Sequence, residues 1–248
     1  IEVGSLVSIP VRNKKIPGIL EEIKPIEDLK MEIKNSEYEL KKIEKVSEKN
    51  LFLKEFIESS KETAEYFATN AGQVINLLTP SAVLSNYENH GNLVKQDVEE
   101  KKKENKEENK FEAFVTQTYF EERMCFYRSL IREEFAKKNS IFLCVPTIHD
   151  INLVSKEITK GIEKYSIIFN PGDSKKTIVL KWQNAIKEVH PMLIIGTQLF
   201  LSLPRKDIGT IIIEKESSPA YKSIARPFID FRVFAELFAK KISAKILY

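Results

Sequence analysis

Cysteine is scarce in this sequence, which has only Cys125 and Cys144 among its 248 residues. Both lie in apolar surroundings without CxxC or metal-ligand spacing, which excludes a disulfide framework and a cysteine zinc site. We therefore expect two reduced core residues in a cytoplasmic protein. Histidine is equally rare, and His90, His149 and His190 show no pairing at metal-ligand spacing, so no metal site is predicted.

Strong net charge and long apolar runs are also absent. The formal net charge is +3, which does not indicate a general polyanion-binding surface. Residues 219–248 contain six basic and two acidic residues, an excess compatible with a phosphate-facing edge or with a solvated helix face. The longest apolar run, Met192–Leu203, is too short to span a bilayer, and no signal peptide is present, so no membrane association is expected. Because the chain begins with Ile, we expect its natural start to lie upstream.

Composition divides the chain into three segments, of which residues 1–85 form the first. The alternating stretch VGSLVSIPV and the following KKIPGILEEI predict a small β-hairpin or part of a barrel. A further strand is predicted from Leu40 to Val46. Apolar residues at three- and four-residue steps predict a helix from Leu51 to about Phe67, and Val74–Leu78 predicts a second short helix that ends at Pro80.

The other two segments differ sharply in composition. Residues 86–110 end in KKKENKEENK, which cannot bury apolar surface and predicts a disordered linker or a frayed, exposed helix. Residues 111–248 alternate between strand-like and helix-like stretches, which predicts an α/β fold with a parallel sheet and helices on both faces. The predicted strands are Ala113–Thr116, Ile141–Val145, Ser166–Phe169, Met192–Ile195, Thr210–Ile213 and the final KILY, and the predicted helices lie near Met124–Lys137, Asn152–Lys164, Ser174–Glu188 and Phe231–Lys241.

The most informative motif follows an apolar, β-branched run, IGTIII at residues 208–213, which has the composition of a strand buried on both faces. The strand leads into the sequence Glu-Lys-Glu-Ser at residues 214–217, and Ser218, Tyr221 and Lys222 follow. This pattern, with the upstream pair Gly196-Thr197, resembles lobe one of the primosomal protein N′ family, the replication-restart DNA helicases of superfamily II. In that family the strand ends in Asp-Glu-Glu-His, followed by a short Ser-Tyr-Lys tail.

The first segment is similar to the same family's 3′-end DNA-binding domain. That domain carries Gly-x-x-Val-x-Val-Pro, a basic turn and Gly-Ile-Val, and the matching residues here are Gly4, Val7, Ile9, Pro10 and residues 18–20. The resemblance therefore covers nearly the whole chain outside the charged segment. It implies a small β-rich 3′-end-binding-like domain with two helices at residues 1–85, a linker at 86–110 and a RecA-like helicase lobe at 111–248.

The family's phosphate-binding loop, Gly-Val-Thr-Gly-Ser-Gly-Lys-Thr, matches residues 117–124, where no glycine remains. Gln117 takes the first position, Arg123 replaces the lysine, and Met124 replaces the hydroxyl that binds magnesium. Glu121 and Glu122 stand where phosphate would bind and would repel it. The resemblance thus implies a vestigial nucleotide site at Gln117, Arg123 and Met124.

The second nucleotide motif also differs from the family pattern, and again the changes disfavour nucleotide binding. Glu214 replaces the first acid, a magnesium partner, and Lys215 replaces the acid that would orient the attacking water. A lysine cannot accept that proton, and it repels magnesium. We therefore treat Arg123, Glu214 and Lys215 as vestigial catalytic positions, and we expect neither ATP nor magnesium as a cofactor.

Several residues are candidates for DNA contact. Lys41 matches the lysine of the family's 3′-end pocket and is placed to pair with a terminal phosphate. Arg12 stands where that pocket has a glycine, so its side chain is expected to narrow the pocket. The full set of DNA-binding candidates is Arg12, Lys14, Lys15 and Lys41 in the first segment and Thr147 and Thr197 in the lobe.

Three functions remain open at this stage. The first is a non-catalytic member of the replication-restart family that binds single-stranded, branched or 3′-ended DNA, or restart proteins, without ATP hydrolysis. The second is a fragment of an ATP-dependent 3′–5′ DNA helicase with residual nucleotide binding. The third is an interaction scaffold without DNA affinity, which the near-neutral total charge and Arg12 keep open.

Overall fold

A computed structural model describes residues 3–11, 14–35, 42–43, 45–85 and 111–248. The predicted linker at 86–110 lies outside these ranges, as do Arg12 and Lys41. No helix within them is long and apolar enough to cross a membrane. The chain folds into a small antiparallel sheet, a group of helices and a larger parallel sheet.

The small sheet has the strand order β2-β1-β3. Its strands are β1 (Ser5–Val11), β2 (Lys14–Ile19) and β3 (Lys45–Asn50). Strands β1 and β2 form the predicted antiparallel hairpin, with Pro10 opposite Lys15. Strand β3 overlaps the predicted third strand, Leu40–Val46, only at Lys45 and Val46, and Leu40, Lys41 and Glu44 lie outside the described residues. Helix α1 (Ile26–Asn35) precedes this segment. That helix was not predicted, although acids in its first turn and a lysine in its last turn favour it.

Three further helices follow: α2 (Lys54–Tyr66), α3 (Ala71–Leu77) and α4 (Ser81–Ser85). Helices α2 and α3 are the two that were predicted. Asn70 caps α3, because its side chain accepts a hydrogen bond from the backbone N–H of Gln73 at 2.9 Å. The described part of residues 1–85 therefore holds four helices, not the two that were expected.

The large sheet has six parallel strands in the order β4-β9-β8-β5-β7-β6. Its strands are β4 (Ala113–Phe114), β5 (Ser140–Cys144), β6 (Ser166–Ile168), β7 (Leu193–Gly196), β8 (Ile208–Ile213) and β9 (Lys245–Leu247), and its helices are α5 (Phe120–Ala136), α6 (Ile148–Ile158), α7 (Lys175–Lys187) and α8 (Phe231–Ile242). These elements confirm the predicted α/β lobe.

Helices cover both faces of this sheet, as predicted, and strand β5 shows why. Ile141 and Leu143 point into a core made with α5 and α6, while Phe142 and Cys144 point into a second core made with α7 and α8. Successive strand residues point to opposite faces, so a strand buried on both sides must be apolar throughout. Cys144 is buried as expected, but Cys125 lies on the exposed face of α5, so the prediction of two core cysteines was half wrong.

Helices α2 to α4 belong to the same core as α7 and α8. The ring of Phe56 lies 5.4 Å from that of Phe234 and 6.0 Å from that of Phe238, and Lys241 Nζ lies 2.6 Å from Glu62 Oε1. The predicted boundary at residue 85 stays a prediction. Residues 54–85 nevertheless pack as part of the lobe, since they bury their apolar face against it.

Candidate functional site

The loops at the carboxyl ends of β5, β7 and β8 bring the candidate residues of the lobe to one edge of the sheet. Parallel strands end at the same edge, which is where α/β proteins place their ligands. Thr147 follows β5, Thr197 follows β7, and Glu214 and Lys215 follow β8. Helix α5 begins at Phe120 beside this edge and carries Arg123 one turn later.

Arg123 and Glu214 form an ion pair at this edge. Arg123 Nε lies 3.1 Å and 3.0 Å from the two carboxylate oxygens, and its Nη2 lies 2.6 Å from Oε1. Glu214 has 0% of its surface exposed, and Tyr127 donates a hydrogen bond to its Oε2 at 2.8 Å. Such a buried pair is satisfied only when every charged atom has a partner, and here both carboxylate oxygens do.

The pKa values of the partners reflect this contact. The hydrogen bond to Glu214 raises the pKa of Arg123 above its ordinary value, although burial opposes the shift. Burial, followed by the charge of Glu214, raises the pKa of Tyr127 well above its ordinary value. At neutral pH Tyr127 is therefore a permanent hydrogen-bond donor, and Arg123 a permanent cation, toward the same carboxylate.

Alkaline pH should destabilise the protein partly through Tyr127. Its phenol stays protonated in the folded chain, while the same phenol ionises in the unfolded chain near about pH 10. Its stabilising contribution is fully present below about pH 10 and is lost as the pH rises further. Urea unfolding at several pH values should show a steeper alkaline loss for the wild-type chain than for Tyr127→Phe. Burial also raises the pKa of Tyr221, but that residue is present in both proteins and affects them alike. If the free energy of unfolding falls equally steeply with pH in both proteins, the prediction is wrong.

Lys215 does not approach Glu214 but turns toward α6. Its Nζ lies 2.5 Å from Asp150 Oδ1, and Thr147 Oγ1 donates to Asp150 Oδ2 at 2.5 Å. Thr147 also caps α6, accepting a hydrogen bond from the Asp150 N–H at 3.2 Å. Burial would raise the pKa of Asp150, but the hydrogen bonds from Lys215 and Thr147 outweigh it and hold that pKa below its ordinary value.

The tail after β8 holds the strand ends together. The hydroxyl of Tyr221 lies 2.7 Å from the Glu214 carbonyl oxygen and 3.0 Å from the Cys144 carbonyl oxygen, and Tyr221 is 1% exposed. The Glu214 N–H donates to the same Cys144 carbonyl at 2.9 Å. Tyr221, singled out as part of the family's tail, therefore fixes the spacing between β8 and β5 that brings Glu214 to Arg123.

The remaining candidates are spread out. Gln117 is exposed and Met124 is buried in the core, so neither accompanies Arg123 to the ion pair. Thr147 is exposed, while Thr197 is 8% exposed. Lys14 and Lys15 begin strand β2. Within the described ranges, no group of three or more His, Cys, Asp or Glu side chains is placed to hold a metal.

Sequence reasoning missed Tyr127 and Asp150, although each had a signal. Tyr127 lies four residues after Arg123, one helical turn along the same face of α5. Asp150 lies three residues after Thr147, the spacing of a threonine cap followed by an acid at the start of a helix. The pairings of Lys215 with Asp150, 65 residues apart, and of Arg123 with Glu214, 91 residues apart, had no local signal.

Comparison with known proteins finds similarity to replication restart proteins. The 3'DNA-binding domain (3'BD) of PriA matches residues 1–80. The replication restart protein PriA of Rickettsia conorii is 27% identical over 241 residues, which cover 90% of this chain and 34% of that protein. PriA of Helicobacter pylori is 24% identical over 258 residues, covering 98% of this chain and 38% of that protein. The chain thus spans about a third of the length of the curated relatives it matches. The resemblance to the primosomal protein N′ family is confirmed, and the chain is similar to replication restart protein PriA.

Proposed function

We propose that this PriA-like chain binds fork or 3′-ended DNA in replication restart without hydrolysing ATP. Two lines of support come from different parts of the molecule: the match of residues 1–80 to a 3'DNA-binding domain, and the ion pair between Arg123 and Glu214. The ion pair carries the argument against hydrolysis.

The ion pair leaves no room for nucleotide chemistry at its own atoms. Magnesium prefers carboxylate oxygens, yet both oxygens of Glu214 already accept hydrogen bonds from Arg123 or Tyr127. A phosphate would have to draw Arg123 away and leave a fully buried carboxylate with one neutral donor. Breaking a buried pair in this way is strongly unfavourable.

The start of α5 also disfavours phosphate. A helix N-terminus attracts anions, but Glu121 and Glu122 already lie in the first turn and are exposed there. Their negative charge offsets the positive potential of the helix N-terminus and repels a triphosphate. Lys215 is paired with Asp150, so its positive charge is already neutralised there.

DNA affinity is expected from the first segment. Lys14 and Lys15 follow each other at the start of β2, and Arg12 precedes them by two residues in sequence. Lysines that neutralise phosphates release counterions. The logarithm of the association constant should therefore fall linearly with the logarithm of the salt concentration, and this salt slope should be about −0.9 for each phosphate contact. The proposed partners are therefore single-stranded, branched or 3′-ended DNA and, beyond DNA, restart proteins.

The test uses the full chain in two measurements. Fluorescence anisotropy with a 3′-ended fork should show salt-dependent binding, and calorimetry with ATP and magnesium should show neither binding nor turnover. The double variant Lys14→Gln, Lys15→Gln should reduce the salt slope by about 1.8. The matched control, Lys137→Gln with Lys138→Gln, changes an adjacent pair of exposed lysines at the end of α5 and should leave the slope unchanged.

The outcomes separate the alternatives. ATP binding or hydrolysis would favour a helicase fragment and overturn the non-catalytic part of the proposal. Absence of fork binding at low salt would favour an interaction scaffold and overturn the DNA-binding part.

A further inference from the structure

One hydrophobic core joins the small sheet, helices α2 to α4 and the lobe. Leu51 and Phe52 directly follow β3, are 4% and 2% exposed, and belong to the core that also contains Trp182. Val3 and Ile19, at the ends of the small sheet, pack against the same core. The match to the 3'DNA-binding domain ends at residue 80, within this core. The limits of the matched domain are therefore not the limits of a packing unit.

Helix α2 contacts both the segment that leaves the small sheet and helix α8. Lys61 Nζ donates a hydrogen bond to the Glu21 carbonyl oxygen at 3.0 Å, two residues after the end of β2. The ring of Phe56 lies 5.4 Å from that of Phe234 and 6.0 Å from that of Phe238. Unfolding of the first 85 residues alone would expose these two rings of α8 to water, which is unfavourable.

Two further contacts hold the same arrangement. Ser202 Oγ, in the loop after β7, donates to the Leu78 carbonyl oxygen at 2.8 Å, and these residues are 1% and 0% exposed. Gly4 lies so close to the end of β3 that a Cβ atom there would be 3.3 Å from the Phe52 carbonyl oxygen. Helix α3 cannot shift against the lobe without breaking the first contact, and a broken buried hydrogen bond is costly.

We propose that the small sheet, helices α2 to α4 and the lobe unfold as one cooperative unit, so that a ligand held by the small sheet stabilises the lobe. That this ligand is 3′-ended DNA rests on the proposed function, which the linkage deepens. A ligand that binds only the folded chain lowers the unfolding equilibrium constant by a factor of 1 + [L]/Kd. In a single unit that factor applies to the lobe as well, although Arg123 and Glu214 already pair at the lobe's own nucleotide position.

Hydrogen exchange of backbone amides tests the cooperative unit without DNA. Ile131→Val removes one methylene from the core on the face of the large sheet that α5 and α6 cover, where Ile131 is 2% exposed. The slowest amides of β8 should then exchange about two- to tenfold faster. The slowest amides of β1 and β2 should accelerate by the same factor, because one opening exposes them all. Leu180→Ala, at a position 55% exposed on α7, is the control and should change neither by more than about twofold.

Urea unfolding of the full chain with DNA tests the linkage. The probe is a single-stranded oligonucleotide with a free 3′ end, at about 100 times its measured Kd, where the unfolding equilibrium constant should fall about 100-fold. Unfolding is followed by the fluorescence of Trp182, which lies on α7 in the lobe. The difference between samples with and without DNA should disappear at a salt concentration that abolishes binding.

Three results are decisive. Faster exchange in β8 with unchanged exchange in β1 and β2 for Ile131→Val would overturn the cooperative unit. Binding of the oligonucleotide without a shift in the Trp182 transition would overturn the linkage and leave the proposed function standing. Absence of binding would overturn the proposed function and the linkage to DNA, while the exchange comparison would still decide whether the unit is cooperative.

Discussion

Replacing Arg205 with methionine should lower the free energy of unfolding by about 3–5 kcal/mol. Arg205 is 4% exposed, and its guanidinium bonds five other residues. The acceptors are Asp207, the hydroxyl of Ser140 and the carbonyl oxygens of Ala185, Glu188 and His190. Methionine fills similar space but removes the guanidinium donors. Asp207 Oδ2 keeps the Ser140 hydroxyl and Ser140 Oγ keeps the Met192 N–H, whereas the three carbonyl oxygens lose the donors that Arg205 supplies, and buried acceptors that lose a donor are costly.

The arginine lies where three elements meet. It ties the end of α7 to the residues that begin β5 and β8, so its loss should loosen the amino edge of the sheet. Urea unfolding can be followed by the fluorescence of Trp182, the single tryptophan of the chain, which is 1% exposed. Lys206→Met, at the exposed neighbouring position, is the control and should change stability by less than about 0.5 kcal/mol. A loss below about 1 kcal/mol for Arg205→Met would contradict the structural role described above.

Replacing Arg123 with methionine should cost a similar amount, about 3–5 kcal/mol, and should not create nucleotide chemistry. Glu214 would remain 0% exposed with only the hydroxyl of Tyr127 as a partner for its charge. Both urea unfolding and ATP turnover are to be measured. A role for Arg123 in hydrolysis predicts a change in ATP turnover, whereas the structural ion pair predicts a change in the free energy of unfolding.

A second substitution tests the cause of this loss. Glu214→Gln added to Arg123→Met removes the stranded charge, so the double variant should be more stable than Arg123→Met alone. Arg132→Met, at an exposed position on the same helix, controls for the loss of an arginine from α5. If the double variant is no more stable than Arg123→Met, the stranded carboxylate is not the source of the destabilisation.

The lobe could be predicted from the sequence because its signals are local. Strand β8 is a continuous apolar run, and α8 repeats apolar residues at helical spacing, so each element is recognisable without its neighbours. Helix α6 begins four residues before the predicted start, although Thr147 carries a cap signal, and it ends at Ile158, shortly before Gly161. The resemblance supplied the identity of the candidate positions at the edge of the sheet.

Contacts between distant residues could not be predicted. Arg205, in the sequence Leu-Pro-Arg-Lys-Asp, looks like a solvated loop residue, and only the meeting of three elements reveals that it is buried. The pairing of Arg123 with Glu214 spans 91 positions, and that of Lys215 with Asp150 spans 65. Helix α1 was missed because its segment is rich in charge, and charge alone does not separate a helix from a loop.

The aromatic cluster of Phe56, Phe234 and Phe238 limits how this chain can be divided. A cut after residue 85 would leave bare rings on both pieces, and such apolar patches promote aggregation. Proteolysis or recombinant expression that yields residues 111–248 alone should therefore give an aggregation-prone fragment. Grafting residues 1–85 onto another protein would require carrying α8, or a substitute for its aromatic face, along with them.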